Sequence, residues 1–240
     1  MNREEAILHE LNLYPLWQRR SIAPAQAAPV VPATSPVPPP QLQPAAVDVL
    51  GWPELKVRVQ GCTTCGLRAG CKQTVFGVGD EKANWLFVGE GPGVEEDEQG
   101  EPFVGEAGQL LDKMIAAIRT KHGIEIKRGE GAYIANVVKC RPPGNRAPQA
   151  AEVAACMPYL QRQIELIKPR IIVALGKTAA TALLSKDVAL GSLRGTVHDY
   201  GGIPLIITYH PAHLLRAPDD KGKAWQDLCL AVETLRVQRV

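Results

Sequence analysis

Short apolar runs that recur between helical segments restrict this chain to one kind of fold. Trp85 to Val88 is such a run, with aromatic and branched members, closed by Gly89. It reads as a strand buried in a parallel sheet. Ala132 to Val138, Ile171 to Leu175 and Leu205 to Thr208 read the same way, and Leu193 to Tyr200 is a further strand candidate set off by Gly201 and Gly202. Between the runs the period becomes helical. Ala107 to His122 carries Leu110, Leu111, Met114, Ile115 and Ile118 on one stripe, and helices are expected from about Pro148 to Ile167, from near Ala179, and from Pro218 to Leu235. Strands alternating with helices predict the α/β class: a three-layer αβα sandwich around a mainly parallel sheet.

The stretch after the first strand is where chemistry is expected. Gly89, Gly91 and Gly93 permit close backbone approach, and Pro92 stiffens the turn between them. Glu95, Glu96, Asp97 and Glu98 follow as an acidic loop before Phe103 and a helix start at Gly105. Loops at the carboxyl ends of parallel strands are where open α/β sheets bind ligands. Arg141 to Arg146 forms a stiff, basic loop after the second core strand, and Tyr209 to Arg216 is expected as the loop after the last one.

The chain divides into three parts. Residues 1–20 read as an amphipathic helix with Ile7, Leu8 and Leu11 on one stripe, residues 21–48 as a Pro- and Ala-rich linker, and residues 49–240 as the folded domain. An apolar helix on a stiff spacer predicts docking to a protein partner through residues 3–20. The pattern L-x-x-L-x-L-x-P-L-W-x-R-R there resembles the segment by which the psi subunit of the bacterial clamp loader engages its chi partner, which implies a clamp-loader or replication component. The net charge of +2 announces no polybasic tail, so an anionic partner must meet a local patch. No apolar run approaches the roughly 20 residues of a membrane span. Nor does the start read as a signal peptide, so a cytoplasmic protein is expected.

Six cysteines in a reducing compartment point to metal ligation or redox chemistry before disulfides. Cys62 and Cys65 form a C-x-x-C pair, and Cys140 and Cys156 supply two further thiolates, the set required by a structural zinc or an iron–sulfur cluster. Cys71 and Cys229 read as spare, although Cys71 is an alternative member of the four.

Three motifs join the cysteines in one order: G-E-G-P-G-x-E-E-D with P-F-V-G-x-A-G, then N-V-V-K-C-R-P-P, then H-P-A-H-L-L-R. Together they resemble the family 4 uracil-DNA glycosylases, the iron–sulfur branch of their superfamily, from about Val49 to Leu235. The resemblance implies a central four-stranded parallel sheet, a structural 4Fe-4S cluster on Cys62, Cys65, Cys140 and Cys156, and removal of uracil from DNA. A flipped base needs a stacking face, a polar reader and a wedge. Phe103 is the expected face and Asn136 the expected reader, since its amide offers a donor and an acceptor to uracil. Leu214 and Leu215 are the expected wedge, with His213 and Arg216 meeting DNA. His210, helped by backbone N–H groups at Gly91 and Gly93, is expected to stabilise the developing uracil oxyanion. Glu96 is expected to position water, with Asp97 as the second candidate, while Glu90 or Pro92 excludes the methyl group of thymine. Arg141, Arg146, Arg194 and Arg216 are the expected phosphate contacts, and the enzyme is expected to be monomeric. The basic loop of the covalently trapping, uracil-binding branch is missing between Arg141 and Arg146. A non-catalytic DNA-binding or redox-sensing protein is the alternative. A phosphate loop at Gly176-Lys177-Thr178 fails the required spacing.

Overall fold

The computed structural model describes residues 47–237; the helix expected within residues 1–20, and the linker up to residue 46, lie outside them. The described chain opens with helix α1 (Trp52–Gln60), whose Pro53 sits in the first turn and whose Leu55 and Val59 are buried one turn apart. Then come β1 (Val78–Gly79), β2 (Trp85–Gly89), α2 (Val94–Gln99), α3 (Glu106–His122), β3 (Lys127–Arg128) and β4 (Gly131–Asn136). The second half holds α4 (Ala150–Ile167), β5 (Ile171–Leu175), α5 (Lys177–Leu184), α6 (Leu190–Leu193), β6 (Val197–Tyr200), β7 (Ile203–Thr208), α7 (Pro211–Arg216) and α8 (Lys221–Val237).

The strands form one sheet in the order β1-β4-β2-β5-β7-β6, with β3 beside β4. Its centre, β4-β2-β5-β7, is parallel throughout and is the expected four-stranded core. The sheet is wider than four strands, because β1 and β6 add antiparallel edges and β3 a short parallel one. β1 and β3 have two residues each, too few to carry a readable period.

Every residue of β2 and β5 is buried, and alternate side chains leave to opposite faces. Leu86, Val88, Ile172, Ala174 and Ile207 meet Leu160 and Ile164 of α4, with Ala179 and Leu183 of α5. Trp85, Phe87, Val173, Leu175 and Ile206 meet Leu111, Ile115 and Ile118 of α3, with Leu228 and Val232 of α8. The chain leaves β2 for β4 on one side and then crosses to β5 on the other. The strand order therefore reverses beside β2, which opens a crevice at the carboxyl ends of these strands.

Three expectations need correction. The acidic stretch is not a loop but α2, because Glu95, Glu96 and Asp97 fall in the first turn, where the helix dipole favours negative charge. Tyr209 to Arg216 is likewise mostly helix: Pro211 occupies the first position of α7, and the His210 ring caps it by accepting the Ala212 N–H at 3.1 Å. The strand expected from Leu193 begins only at Val197, since Leu193 ends α6 and its carbonyl is engaged by Thr196 Oγ1 and His198 Nε2.

Candidate active site

The first structural demand on the crevice is space. β2 and β4 run in register, so Gly89 lies opposite Asn136. Gly89 does not adopt a left-handed conformation. What requires glycine there is contact, because a Cβ would stand 2.5 Å from both Asn136 Oδ1 and the Phe103 ring. Asn136 is only 2 % exposed, and its Oδ1 has no hydrogen-bond partner among the described residues. A buried amide oxygen left in that state carries a desolvation cost unless something else meets it.

Phe103 closes the crevice from a strained turn. Its φ of 57° is left-handed, a costly conformation for a bulky residue. Arg128 of β3 offsets that strain: Nη1 donates to Pro102 O at 3.0 Å, Nη2 to Phe103 O at 2.8 Å, and Nε pairs with Asp112 at 2.9 Å. Gly108, in the first turns of α3, lets the Phe103 carbonyl approach; a Cβ there would lie 1.7 Å from that oxygen. The Phe103 ring stacks against His210, with centroids 5.4 Å apart and planes at 28°.

His210 precedes α7 at the end of β7. Burial, aided by the Arg216 cation and opposed by Glu96, pulls its pKa down to about 4, so the imidazole is neutral at pH 7. Nδ1 accepts the Ala212 N–H, which leaves the proton on Nε2 as a donor. Glu96 faces the same space. Its carboxylate accepts the N–H groups of Gly93 at 3.0 Å, Val104 at 3.0 Å and Gly105 at 3.2 Å, so it ties α2 to the turn behind Phe103. Glu90 accepts the Thr178 hydroxyl across the point where the strand order reverses.

These groups enclose a cleft of about 440 Å³. Glu90, Gly91, Pro92, Gly93, Glu96, Phe103, Asn136, His210, His213 and Arg216 all line it. Three expected residues stand elsewhere. Both carboxylate oxygens of the buried Asp97 accept backbone N–H groups of Lys72 and Gln73, so Asp97 is turned away from the cleft. Leu214 is 1 % exposed and sits among Met114, Trp225 and Leu228, which leaves Leu215, 41 % exposed, as the projecting leucine of α7. Arg194 is also withdrawn from the expected phosphate contacts, since it pairs with buried Asp227 at 2.8 Å and lies over the Tyr209 ring. Arg146 lines the cleft but is held by Glu152 through two hydrogen bonds. His213 pairs with Asp220 at 2.7 Å and stacks on Tyr209. Thr178 and Arg128 were not legible as site residues: a single Thr in a rejected phosphate-loop pattern and a single Arg in a two-residue strand carry no periodic or motif signal.

Behind β4, Cys62, Cys65, Cys140 and Cys156 line a second cavity together with Val59, Leu67 and Tyr159. Burial pushes the Cys156 thiol up to about 11 and the Cys140 thiol further still, so a cationic centre is needed to hold these sulfurs as thiolates. Cys71 is not among the residues that line the cavity; its thiol donates to Arg68 O at 3.6 Å but also adjoins the Cys140 thiol. The cavity thus gathers the four expected cysteines, with Cys71 adjoining Cys140, and such a donor set suits a soft thiolate-bound centre. Among the described residues no three His, Cys, Asp or Glu side chains converge closely enough for a single bare ion.

The family model described as Uracil DNA glycosylase superfamily matches residues 76–229, a span that contains every cleft residue named above. The chain belongs to that superfamily. Within it, a type-4 uracil-DNA glycosylase of Pyrobaculum aerophilum is 42 % identical over 72 % of this chain and 88 % of its own length. A type-4 enzyme of Thermotoga maritima is 47 % identical over 66 % of this chain and 80 % of its own. A type-5 uracil-DNA glycosylase of Pyrobaculum aerophilum is 32 % identical over 57 % and 64 %. The chain is thus a member of the type-4 family.

Proposed function

We propose that the cleft removes uracil from DNA by hydrolysing the N-glycosidic bond of a flipped deoxyuridine, leaving an abasic site for base excision repair. Membership of the type-4 family supports this reading. The observation that carries it within the chain is the buried Asn136 amide, whose oxygen is left without a partner at the cleft floor beside the Phe103 ring. A planar base stacked on Phe103 gives that oxygen the ring N–H of uracil, while the amide N–H₂ meets a uracil oxygen. Cytosine presents an amino group where uracil presents an acceptor, and is refused. Glu90, steadied by Thr178, stands with Pro92 at the cleft edge and excludes the methyl group of thymine.

As the bond breaks, the electron pair leaves with uracil and the sugar becomes cationic. The Nε2–H of neutral His210 donates to the uracil oxyanion, and N–H groups near Gly91 and Gly93 add to the stabilisation. A carboxylate has roughly four acceptor positions, so the three backbone bonds of Glu96 leave room for one water beside the sugar. That water adds its oxygen to the sugar carbon and releases its proton towards Glu96. Leu215 enters the gap left in the duplex, and Arg216, His213 and Arg141 meet phosphate.

Cys62, Cys65, Cys140 and Cys156 would hold a 4Fe-4S cluster, which when bound supplies a structural cross-link between the segment before β1, the end of β4 and α4. We place the enzyme in the cytoplasm as a monomer, with residues 3–20 engaging a replication component. Among the described residues no helix is long and apolar enough to cross a membrane.

A labelled oligonucleotide carrying one uracil, treated with alkali after incubation, tests the reading. Wild-type protein is expected to yield cleavage only at uracil, and Glu96→Ala to lose on the order of 100-fold in rate. No cleavage by intact protein would overturn hydrolysis in favour of uracil binding or redox sensing.

A further inference from the structure

Lys139 lies between the cleft and the cysteine cavity, and the cleft chemistry does not use it. It is 1 % exposed. Its Nζ donates to Asn136 O at 2.9 Å and to Gln163 Oε1 at 2.6 Å, while the Gln163 amide is itself fixed by donation to Phe76 O at 3.0 Å. Both acceptors are neutral, and no carboxylate pairs with Lys139 among the described residues. A buried ammonium without an anion is expensive, and neutral acceptors recover only part of its lost hydration.

The missing negative charge is within reach on the other side. Lys139 lines the same cavity as Cys62, Cys65, Cys140 and Cys156. Its backbone N–H donates to Cys156 Sγ at 3.3 Å, and Cys140 is its neighbour in the chain. Four thiolates around an iron–sulfur core, or around a divalent ion, retain net negative charge in a low-dielectric pocket, where a nearby cation is strongly attracted.

We propose that Lys139 is the buried counter-ion of the thiolate-bound centre, and that the same ammonium, by gripping Asn136 O, couples that centre to the base-reading end of β4. This rests on the reading of the four cysteines given above. Lys139 is a positioning residue, since it touches neither base nor sugar. It explains why the chain places a lysine where apolar packing would otherwise be favoured. It also gives the centre a part in ordering the cleft from the far side of the sheet.

The test compares full-length wild type, Lys139→Met, Lys139→Gln and Gln163→Leu, purified without air. The readouts are iron and sulfide content, and the ratio of reduced to oxidised centre at a fixed potential. A cation close to the centre favours the more negative, reduced state. Removing it in Lys139→Met is therefore expected to lower that ratio about tenfold. Lys139→Gln keeps a donor for Asn136 O and is expected to shift the same way, which preserves the test if the Met variant does not fold. Gln163→Leu retains the charge and is expected to leave the ratio within about twofold of wild type. Lys139→Met, which lacks a donor for Asn136 O, is also expected to raise KM for uracil-containing DNA more than it lowers kcat, and Lys139→Gln to do so less; an equal KM in Lys139→Met and wild type would overturn the coupling to the cleft. An unchanged ratio in cluster-bearing Lys139→Gln would overturn the counter-ion role alone, as would an equal shift in Gln163→Leu. Wild-type protein without any thiolate-bound metal would overturn both this role and the reading of the cysteines.

Discussion

Protonating His210 is harder than protonating a histidine in water, because it is buried beside Phe103 and faces the Arg216 cation. Its pKa falls from 6.5 to about 4 in the folded protein. The neutral form therefore contributes stability that is full above pH 6.5 and is lost as pH falls towards 4, where the folded ring finally accepts a proton. Two outcomes are expected. The acid limb of the pH–rate profile should lie near pH 4 and not near 6.5. The loss of stability between those values should shrink in His210→Asn, as followed by urea unfolding at each pH. A limb near 6.5 in wild type would contradict the neutral donor. At this scale the sequence was informative wherever a residue sat in a motif, at a strand end as Asn136 and His210 do or in the turn before a helix as Phe103 does. Adjacent residues of like chemistry it could rank but not separate: Glu96 and Asp97 are both carboxylates, and helix geometry sends the first to the cleft and the second to Lys72 and Gln73.

The same ambiguity returns in α7, where the element decides which of two leucines is free. Leu214 belongs to the packing between α3 and α8, and Leu215 faces outward. Leu214→Ala is expected to cost about 2–4 kcal/mol of stability by leaving a cavity. Leu215→Ala should cost within about 0.5 kcal/mol, as surface changes do. In return, Leu215→Ala should slow excision from duplex more than from single-stranded DNA, because only the duplex needs a wedge. Thermal unfolding and paired excision assays measure the two effects; equal behaviour of the two variants would refute the assignment. The helix itself was hidden in the sequence, since six residues opening on Pro211 after the His210 cap show too little period to be told from a loop. The turn that carries Phe103 was hidden for another reason. Its strain is offset by Arg128, a residue 25 positions away in sequence.

For the whole molecule, the parallel centre of the sheet was readable from four apolar runs and the β6 edge was read with its start too early, whereas β1 and β3 were not readable because they are two residues long. The sheet order brings the ends of β2, β4 and β7 together, and the active cleft follows from that order. A balanced net charge of +2 conceals the DNA face, since Arg146 and Arg194 are spent on Glu152 and Asp227 while Arg141 and Arg216 keep no carboxylate partner among the described residues. The account depends most on the claim that Asn136, held at the floor of this cleft, reads the base. Asn136→Asp, nearly isosteric, replaces the amide donor by an acceptor and so repels a uracil oxygen. Release of free uracil from a single-uracil duplex should then fall by at least about 100-fold, with folding and iron content unchanged. Release at the wild-type rate would mean that the base is read elsewhere, and the proposed cleft chemistry would be wrong.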